Sequence, residues 1–329
     1  MKQLIILVPS GENNLSSIVG AYKFFSRANA RWKEKGREPL FQIRLAGQSK
    51  RVSYYENRFS ARPDMDIRDV KRADLIIVPS LNHNYQQAIR SNQRIIPWLE
   101  TQYQSGAAIA SICTGAFLLA AAGLLDGRSC STHWSAADQL HRLFPTVRLQ
   151  ADRLVTEEKG IMTNGGAYSF LHFLLYLIEK YYDRETAVYC AKVFQVDMDR
   201  QSQSPFMIFS GQKQHDDELI QKAQAYIESH PADHFSMDGL SKKLAIGRRH
   251  FDRRFIRATG HTPVEYFQRV RIETAKKALE RGRKTVREVM FAAGYSDAKA
   301  FREVFKKITG MTPQAYRVQY DPSAATKRK

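Results

Sequence analysis

Residues 235–267, FSMDGLSKKLAIGRRHFDRRFIRATGHTPVEYF, and residues 285–317, TVREVMFAAGYSDAKAFREVFKKITGMTPQAYR, state one pattern twice. Leu240 aligns with Val289, Ala245 with Gly294, Phe251 with Phe301 and Phe255 with Phe305. Thr259-Gly260-His261-Thr262-Pro263 then aligns with Thr309-Gly310-Met311-Thr312-Pro313. The offset is 49 residues before the turn (Leu240 to Val289) and 50 after it (Phe251 to Phe301), so the second copy carries one extra residue there. The stretch is an internal repeat.

Each copy reads as a short helix, a tight turn and a second helix, because apolar residues recur at helical spacing on both sides of Ile246-Gly247 and of Gly294-Tyr295-Ser296. Thr285 with Glu288, and Thr262 with Glu265, have the capping-box spacing. Gly260 and Gly310 read as helix stops, after which Thr-Pro restarts a helix as N-cap and first residue. The run VEYFQRVRIETAKKALERG predicts a long helix joining the copies. The second helices are expected over about 248–258 and 297–308. Phe251 and Phe255, and Phe301 and Phe305, lie four apart and make inward stripes. Arg248, Arg249, Arg253, Arg254 and Arg257 then face out from the first helix, and Lys299, Arg302, Lys306 and Lys307 from the second. A single basic helix is as readily a solvated charge run. Two copies sharing turn, stripe and exit point instead to DNA, with the helices entering successive major grooves roughly 34 Å apart.

Residues 217–320 resemble the DNA-binding domain of the AraC family of transcription regulators. That resemblance implies sequence-specific binding of double-stranded promoter DNA. It makes Arg248, Arg249 and Arg253 of the first helix, and Asp297, Lys299, Arg302 and Lys306 of the second, the readers of bases or phosphates. Arginine can grip guanine at two points, while lysine more often serves phosphate.

The chain of 329 residues is long enough for two cores. Its net charge of +18 calls for a polyanionic partner. Residues 211–329 hold 25 Lys and Arg against 14 Asp and Glu, the rest 26 against 19, so the last third is the more basic. Cys113, Cys130 and Cys190 are an odd count without Cys-x-x-Cys spacing, which fits a reducing compartment better than a disulfide framework. MKQLIILVPSGENN reads as a first strand and not as a signal peptide, and no apolar run approaches a membrane span. A cytoplasmic protein without membrane contact is expected. No His, Cys and carboxylate cluster has metal spacing, and neither metal nor cofactor is expected.

QLIILVP, FQIRLAG, ADLIIVPS and AAIASIC are continuous apolar runs, each followed by a segment that can be helical. This predicts an α/β domain, a flavodoxin-like parallel sheet sandwiched by helices. Residues 51–65 read as a strand pair, and LVTEEKGIMTNGG as two late strands around Lys159-Gly160. The helices AYSFLHFLLYLIEKYY and DRETAVYCAKVF follow. The expected organisation is a first domain over 1–196, a polar linker over 197–216 carrying Pro205 and Gly211, an all-α domain with two helix-turn-helix units over 217–320, and a disordered basic tail over 321–329.

In ASICTGAFLLAAAGLLDG a buried strand runs into a helix that begins with small residues, placing Cys113 in the sharp turn above the sheet. That is the layout of a nucleophile elbow, where backbone N–H groups and the helix dipole favour a thiolate. Twenty residues on, His133 is positioned to face it. The plainer alternative is a small buried cysteine and a hydrogen-bonded core histidine.

ASICTGAFLLAAAGLLDGRSCSTHW and MTNGGAYSFLHFLLYLIE resemble the elbow and closing glycine segments of the ThiJ/PfpI superfamily, whose fold is class I glutamine amidotransferase-like. With the AraC-type tail, the whole is similar to the GlxA family of transcription regulators. Enzymes of the superfamily set an acidic side chain against the cysteine. Here the matching position is Ser17, with Glu12 a substitute five residues earlier. The resemblance therefore implies a non-catalytic domain that senses a small-molecule effector or mediates homodimerisation, its pocket lined by Cys113, His133, Asn164 and Gly165. The alternative is a cysteine-dependent amidase or hydratase fused to a DNA-binding domain.

Overall fold

The computed structural model describes residues 1–200, 202–213 and 215–321. The chain divides into two compact units between Gln203 and Ser204. The first contains strands β1 (Lys2–Val8), β2 (Phe41–Gly47), β3 (Val52–Tyr54), β4 (Phe59–Ala61), β5 (Met65–Asp66), β6 (Leu75–Val78), β7 (Ala108–Ser111), β8 (Ser129–Cys130), β9 (Arg148–Leu149), β10 (Val155–Glu158) and β11 (Ile161–Asn164). Its helices are α1 (Leu15–Glu34), α2 (Tyr85–Ser91), α3 (Ile95–Gln104), α4 (Ala116–Ala121), α5 (Ala137–Leu143), α6 (Phe170–Tyr181) and α7 (Arg184–Phe194).

Seven strands make one sheet in the order β10-β11-β7-β6-β1-β2-β5. Every pair in it is parallel except β10 with β11, so the expected parallel sheet carries one antiparallel edge. β1 shows why its sequence is apolar throughout. Leu4, Ile6 and Val8 enter one core with Phe25, Phe173 and Leu177, whereas Ile5 and Leu7 enter the other with Leu99 and Phe117. A strand covered on both faces has no position for a polar side chain. The strand pair over 51–65 is the β3–β4 hairpin, after which β5 joins the main sheet beside β2.

The second unit is helical: α8 (Glu218–Ser229), α9 (Met237–Lys243), α10 (Arg248–Thr259), α11 (Pro263–Glu280), α12 (Val286–Ala292), α13 (Ala298–Thr309) and α14 (Pro313–Tyr320). α9–α10 and α12–α13 are the two helix-turn-helix units. Both capping boxes form, at Thr262 with Glu265 and at Thr285 with Glu288. Gly260 and Gly310 end their helices at φ 72° and 73°, the left-handed cap that glycine adopts without strain. The extra residue sits in the second turn, where Gly294 has φ 78°. Its counterpart in the first turn, Ala245, holds φ 53° with a methyl group.

Each repeat has its own core, and α11 serves both. Tyr266, Phe267 and Val270 pack with Phe251 and Phe255, while Ile272, Ala275 and Leu279 pack with Phe301 and Phe305. Those two sets lie successively along one helix, so α11 fixes the copies to a single scaffold.

The expected linker over 197–216 is largely ordered. Ser202 and Gln203 pair with the loop at 152–153 in the first unit. Phe209 stacks edge-on against Tyr266 with centroids 5.0 Å apart, and the buried Lys276 donates to Met207 O at 2.5 Å in the second. The tail expected over 321–329 lies outside the described residues except for Asp321. That carboxylate is buried and accepts from Arg317 Nε at 3.0 Å.

Candidate nucleic-acid interface and the Cys113 turn

On α10, Phe251 and Phe255 are buried, which turns Arg249, Arg253 and Arg257 to the surface, where they are exposed. Arg248 is instead half-buried, its Nε paired with Asp252 at 2.9 Å. Ile256 is 44 % exposed on this otherwise basic helix. On α13, burial of Phe301 and Phe305 leaves Lys299, Arg302, Lys306 and Lys307 exposed. Arg302 Nε turns back to Ala298 O at 3.1 Å. Asp297 is the N-cap of α13, with one carboxylate oxygen taken by Ala300 N–H at 2.6 Å. Its first role is to start α13.

Arg254, counted in the sequence with the outward arginines, does not belong there. Its guanidinium takes Asp217 at two points, 2.6 and 2.9 Å, and so ties α10 to the N-cap of α8. The partners are 37 residues apart, which no local pattern reveals. The Arg254 guanidinium holds the Asp217 carboxyl below its ordinary 3.8. A depressed carboxyl stabilises the fold above its unfolded value and ceases to do so as pH falls through the folded one. Asp217→Asn is therefore expected to cost about 1–2 kcal/mol at pH 7. In urea titrations the gap between variant and wild type should begin to narrow near pH 3.8 and close only as pH falls through the depressed folded value, and a gap independent of pH would remove the ion pair as its cause.

In the first unit Cys113 has φ +54°, a left-handed conformation that a non-glycine residue adopts only under constraint. The neighbours supply that constraint. Thr114 Oγ1 donates to Leu81 O at 2.7 Å and accepts from Leu81 N–H at 2.9 Å, tying the turn to the loop after β6. Thr132 Oγ1 donates to Cys113 O at 3.0 Å. At Gly115 a Cβ would stand 2.6 Å from Pro79 O and 2.8 Å from Val78 O. Gly115→Ala should therefore lower stability by about 1–3 kcal/mol, read as a fall in melting temperature. An unchanged melting temperature would mean that the turn is looser than these contacts.

Cys113 itself is 5 % exposed. His133 caps a short turn, with Nδ1 2.7 Å from Ser135 Oγ and the ring edge against Gly166. Burial, and then the nearby His83, push its imidazole below the ordinary range, which keeps it neutral at pH 7. The position matched to the superfamily's acid is filled differently. Ser17 is fully buried, donates to Asn14 O at 2.6 Å and accepts from Ser80 N–H at 3.2 Å. Glu12 is exposed and accepts from Asn82 Nδ2 at 3.0 Å.

Asn164 and Gly165 follow from β11 at the same end of the sheet. Asn164 is fully buried and donates to Leu154 O at 3.1 Å. Gly165 provides the floor under Gln203, a residue the sequence reading passed over: a Cβ there would lie 2.7 Å from Gln203 Nε2. A cavity of about 600 Å³ lies elsewhere, between β10, α6 and the segment around Met198. Its walls include Arg153, His172 and Tyr176 but none of the four expected pocket residues. Among the described residues no group of three or more His, Cys, Asp or Glu could hold a metal ion, and no helix is long and apolar enough to cross a membrane.

The DJ-1/PfpI family profile matches residues 36–180, and a helix-turn-helix domain profile matches 240–319. The chain is thus a DJ-1/PfpI domain followed by an AraC-type helix-turn-helix domain. Among curated relatives it is similar to the HTH-type transcriptional regulator GbdR of Pseudomonas aeruginosa, 25 % identical over 67 % of this chain and 60 % of that one. It is also similar to the HTH-type transcriptional regulator GlxA of Rhizobium meliloti, 28 % identical over 64 % of this chain and 65 % of the relative. The match thus spans somewhat less than two thirds of those relatives' length. The fold of the first unit is that of a ThiJ/PfpI family protein from Pseudomonas syringae, with a TM-score of 0.51 at 20 % identity, covering 60 % of this chain and 76 % of that one. Drosophila melanogaster DJ-1beta gives 0.50, also at 20 % identity, over 60 % of this chain and 98 % of its own.

Proposed function

We propose that the chain is a transcription regulator that binds promoter DNA sequence-specifically through α10 and α13. The observation that carries this reading is the duplicated helix-turn-helix in which each second helix is anchored by a buried phenylalanine pair and turns basic side chains outward. Arg249 and Arg253 on α10 and Lys299, Arg302 and Lys306 on α13 are the readers. Arg248 contributes once it leaves Asp252, and Asp297 contributes its second carboxylate oxygen. The names of the relatives support the same reading.

The DJ-1/PfpI unit is read as a non-catalytic domain that senses a small molecule or pairs two chains. A cysteine nucleophile needs a partner to hold the proton in transit. Ser17 is a structural hydroxyl and Glu12 is engaged with Asn82, so neither stands as the acid that the superfamily's enzymes set against the cysteine, and His133 is held through Nδ1 by Ser135 rather than by a carboxylate. An effector would act by binding one conformation better than another.

Selection of bound fragments from a random duplex pool by the full chain, at two salt concentrations, tests the proposal. Enrichment of one motif that survives the higher salt supports it. Binding with no motif, fading with salt, would leave phosphate attraction alone and overturn it. Cys113→Ser should leave the selected motif unchanged.

A further inference from the structure

Gln203 closes the first unit and belongs to a polar connector, yet it is only 3 % exposed. Its side chain meets four backbone groups within 3.3 Å, and Nε2 also reaches Arg153 O at 3.5 Å. Oε1 accepts from Gly166 N–H at 3.1 Å and from Trp134 N–H at 3.3 Å. Nε2 donates to Ala151 O at 2.7 Å and to Thr132 O at 2.9 Å. Two donors thus face the oxygen and two acceptors face the NH₂ group, which is the complement of a primary carboxamide. A carboxylate would set an oxygen against two carbonyls, and a tertiary amide would have no proton for either. The seat also fits in shape, since a Cβ on Gly165 would come within 2.8 Å of Gln203 Cδ.

The main chain reinforces the seat. Gln203 N–H donates to Asp152 O at 3.0 Å, Ser202 Oγ donates to the same oxygen at 2.9 Å, and Ser202 bridges Arg153. The walls of the seat adjoin the Cys113 turn. Thr132 offers its carbonyl to Gln203 and its hydroxyl to Cys113 O, and Trp134 and Gly166 flank the His133 ring on the chain and in space.

We propose that these four backbone groups form a binding site for a primary carboxamide, which the chain fills with its own Gln203 to tether the end of the first unit. A tethered ligand competes at the high effective concentration of an intramolecular group, so a free amide enters only when Gln203 is removed or withdrawn. The inference does not depend on the DNA-binding reading, because nothing in its test involves DNA.

The test uses the full chain, wild type and Gln203→Ala, with propionamide as the probe because it reproduces the glutamine side chain beyond Cα. Trypsin cleavage after Arg200 should run about tenfold faster in Gln203→Ala, since opening of the segment no longer breaks the carboxamide contacts. Propionamide should raise the variant's melting temperature while leaving wild type unchanged, without restoring slow cleavage, because a free amide fills the seat but does not tether the segment. N,N-dimethylpropionamide, which has no N–H, should leave both melting temperatures unchanged. Wild-type cleavage of the variant, or equal effects of both amides on both proteins, would overturn the proposal. If Gln203→Ala does not fold, Gln203→Met keeps the length without donor or acceptor. Accelerated cleavage of that variant supports the seat, and a wild-type rate sinks it.

Discussion

Phe305→Ala is expected to lower the stability of the second unit by about 3–5 kcal/mol, the range for emptying a fully buried aromatic site. Phe305 is completely buried, with its ring edge-on to Tyr316 at 5.5 Å and to Phe301 at 5.7 Å. Such ring pairs add to what burial alone contributes. Domains of this size have only about 5–15 kcal/mol in total, so the variant should be marginal at 37 °C. Phe255→Ala removes the equivalent ring of the first copy, which packs on Tyr266 at 5.3 Å, and should cost a similar amount. The location of the damage should differ. Phe305 belongs to the core that includes Val289, Met290 and Tyr316, and Phe255 to the one that includes Ile220, Ile227 and Leu240. Amide exchange should therefore quicken over α12–α14 in the first variant and over α8–α10 in the second. Phe291→Ala is the control, because that ring is 52 % exposed. Urea titrations giving less than about 1 kcal/mol for Phe305→Ala would show that the site collapses around the gap.

What the sequence discloses follows from how far apart the cooperating residues lie. The duplicated units were legible because each is assembled from neighbours: a stripe at i and i+4, a glycine stop, and a Thr-Pro restart. The one-residue difference between the turns was legible for the same reason, and the structure places it after Ala293. The strands β1, β2, β6 and β7 were legible from their apolar runs, whereas the two-residue β8 and β9 have no run long enough to read. The Cys113 turn could be located because a strand meets a helix of small residues, but its strain could not. That strain rests on Thr114 meeting Leu81 and Thr132 meeting Cys113, contacts across 33 and 19 residues. Gln203 was unreadable because its partners are backbone groups of three loops, which carry no side-chain signature. Arg254 looked like its neighbours in the helix and was separated from them only by Asp217. The fold therefore came through wherever local pattern decides it. Cys113, His133, Asn164 and Gly165 were legible as residues of strand ends and turns, but neither their hydrogen bonds nor the cavity, which none of them lines, was.

Arg249→Ala and Arg302→Ala are each expected to weaken binding to a selected site by about 1–3 kcal/mol, and together by about 2–6 kcal/mol. The two residues stand on different helices with separate cores, so their losses should add. Both are exposed, so neither alanine empties a core, and melting temperatures should stay near wild type while affinity falls. Loss of a base reader relaxes preference at one position of the motif. Loss of a phosphate contact weakens all sequences alike and reduces the salt slope by about one. Lys306→Ala is expected to behave in the second way, because an ammonium is a point charge without the fork that matches guanine. The discriminating measurement is therefore a repeat of the motif selection with each variant beside a salt titration. A lost preference at separate positions for Arg249→Ala and Arg302→Ala would make α10 and α13 two readers of one site. Wild-type affinity and motif in both variants would instead remove these helices from the interface and return their charge to the status of a solvated face.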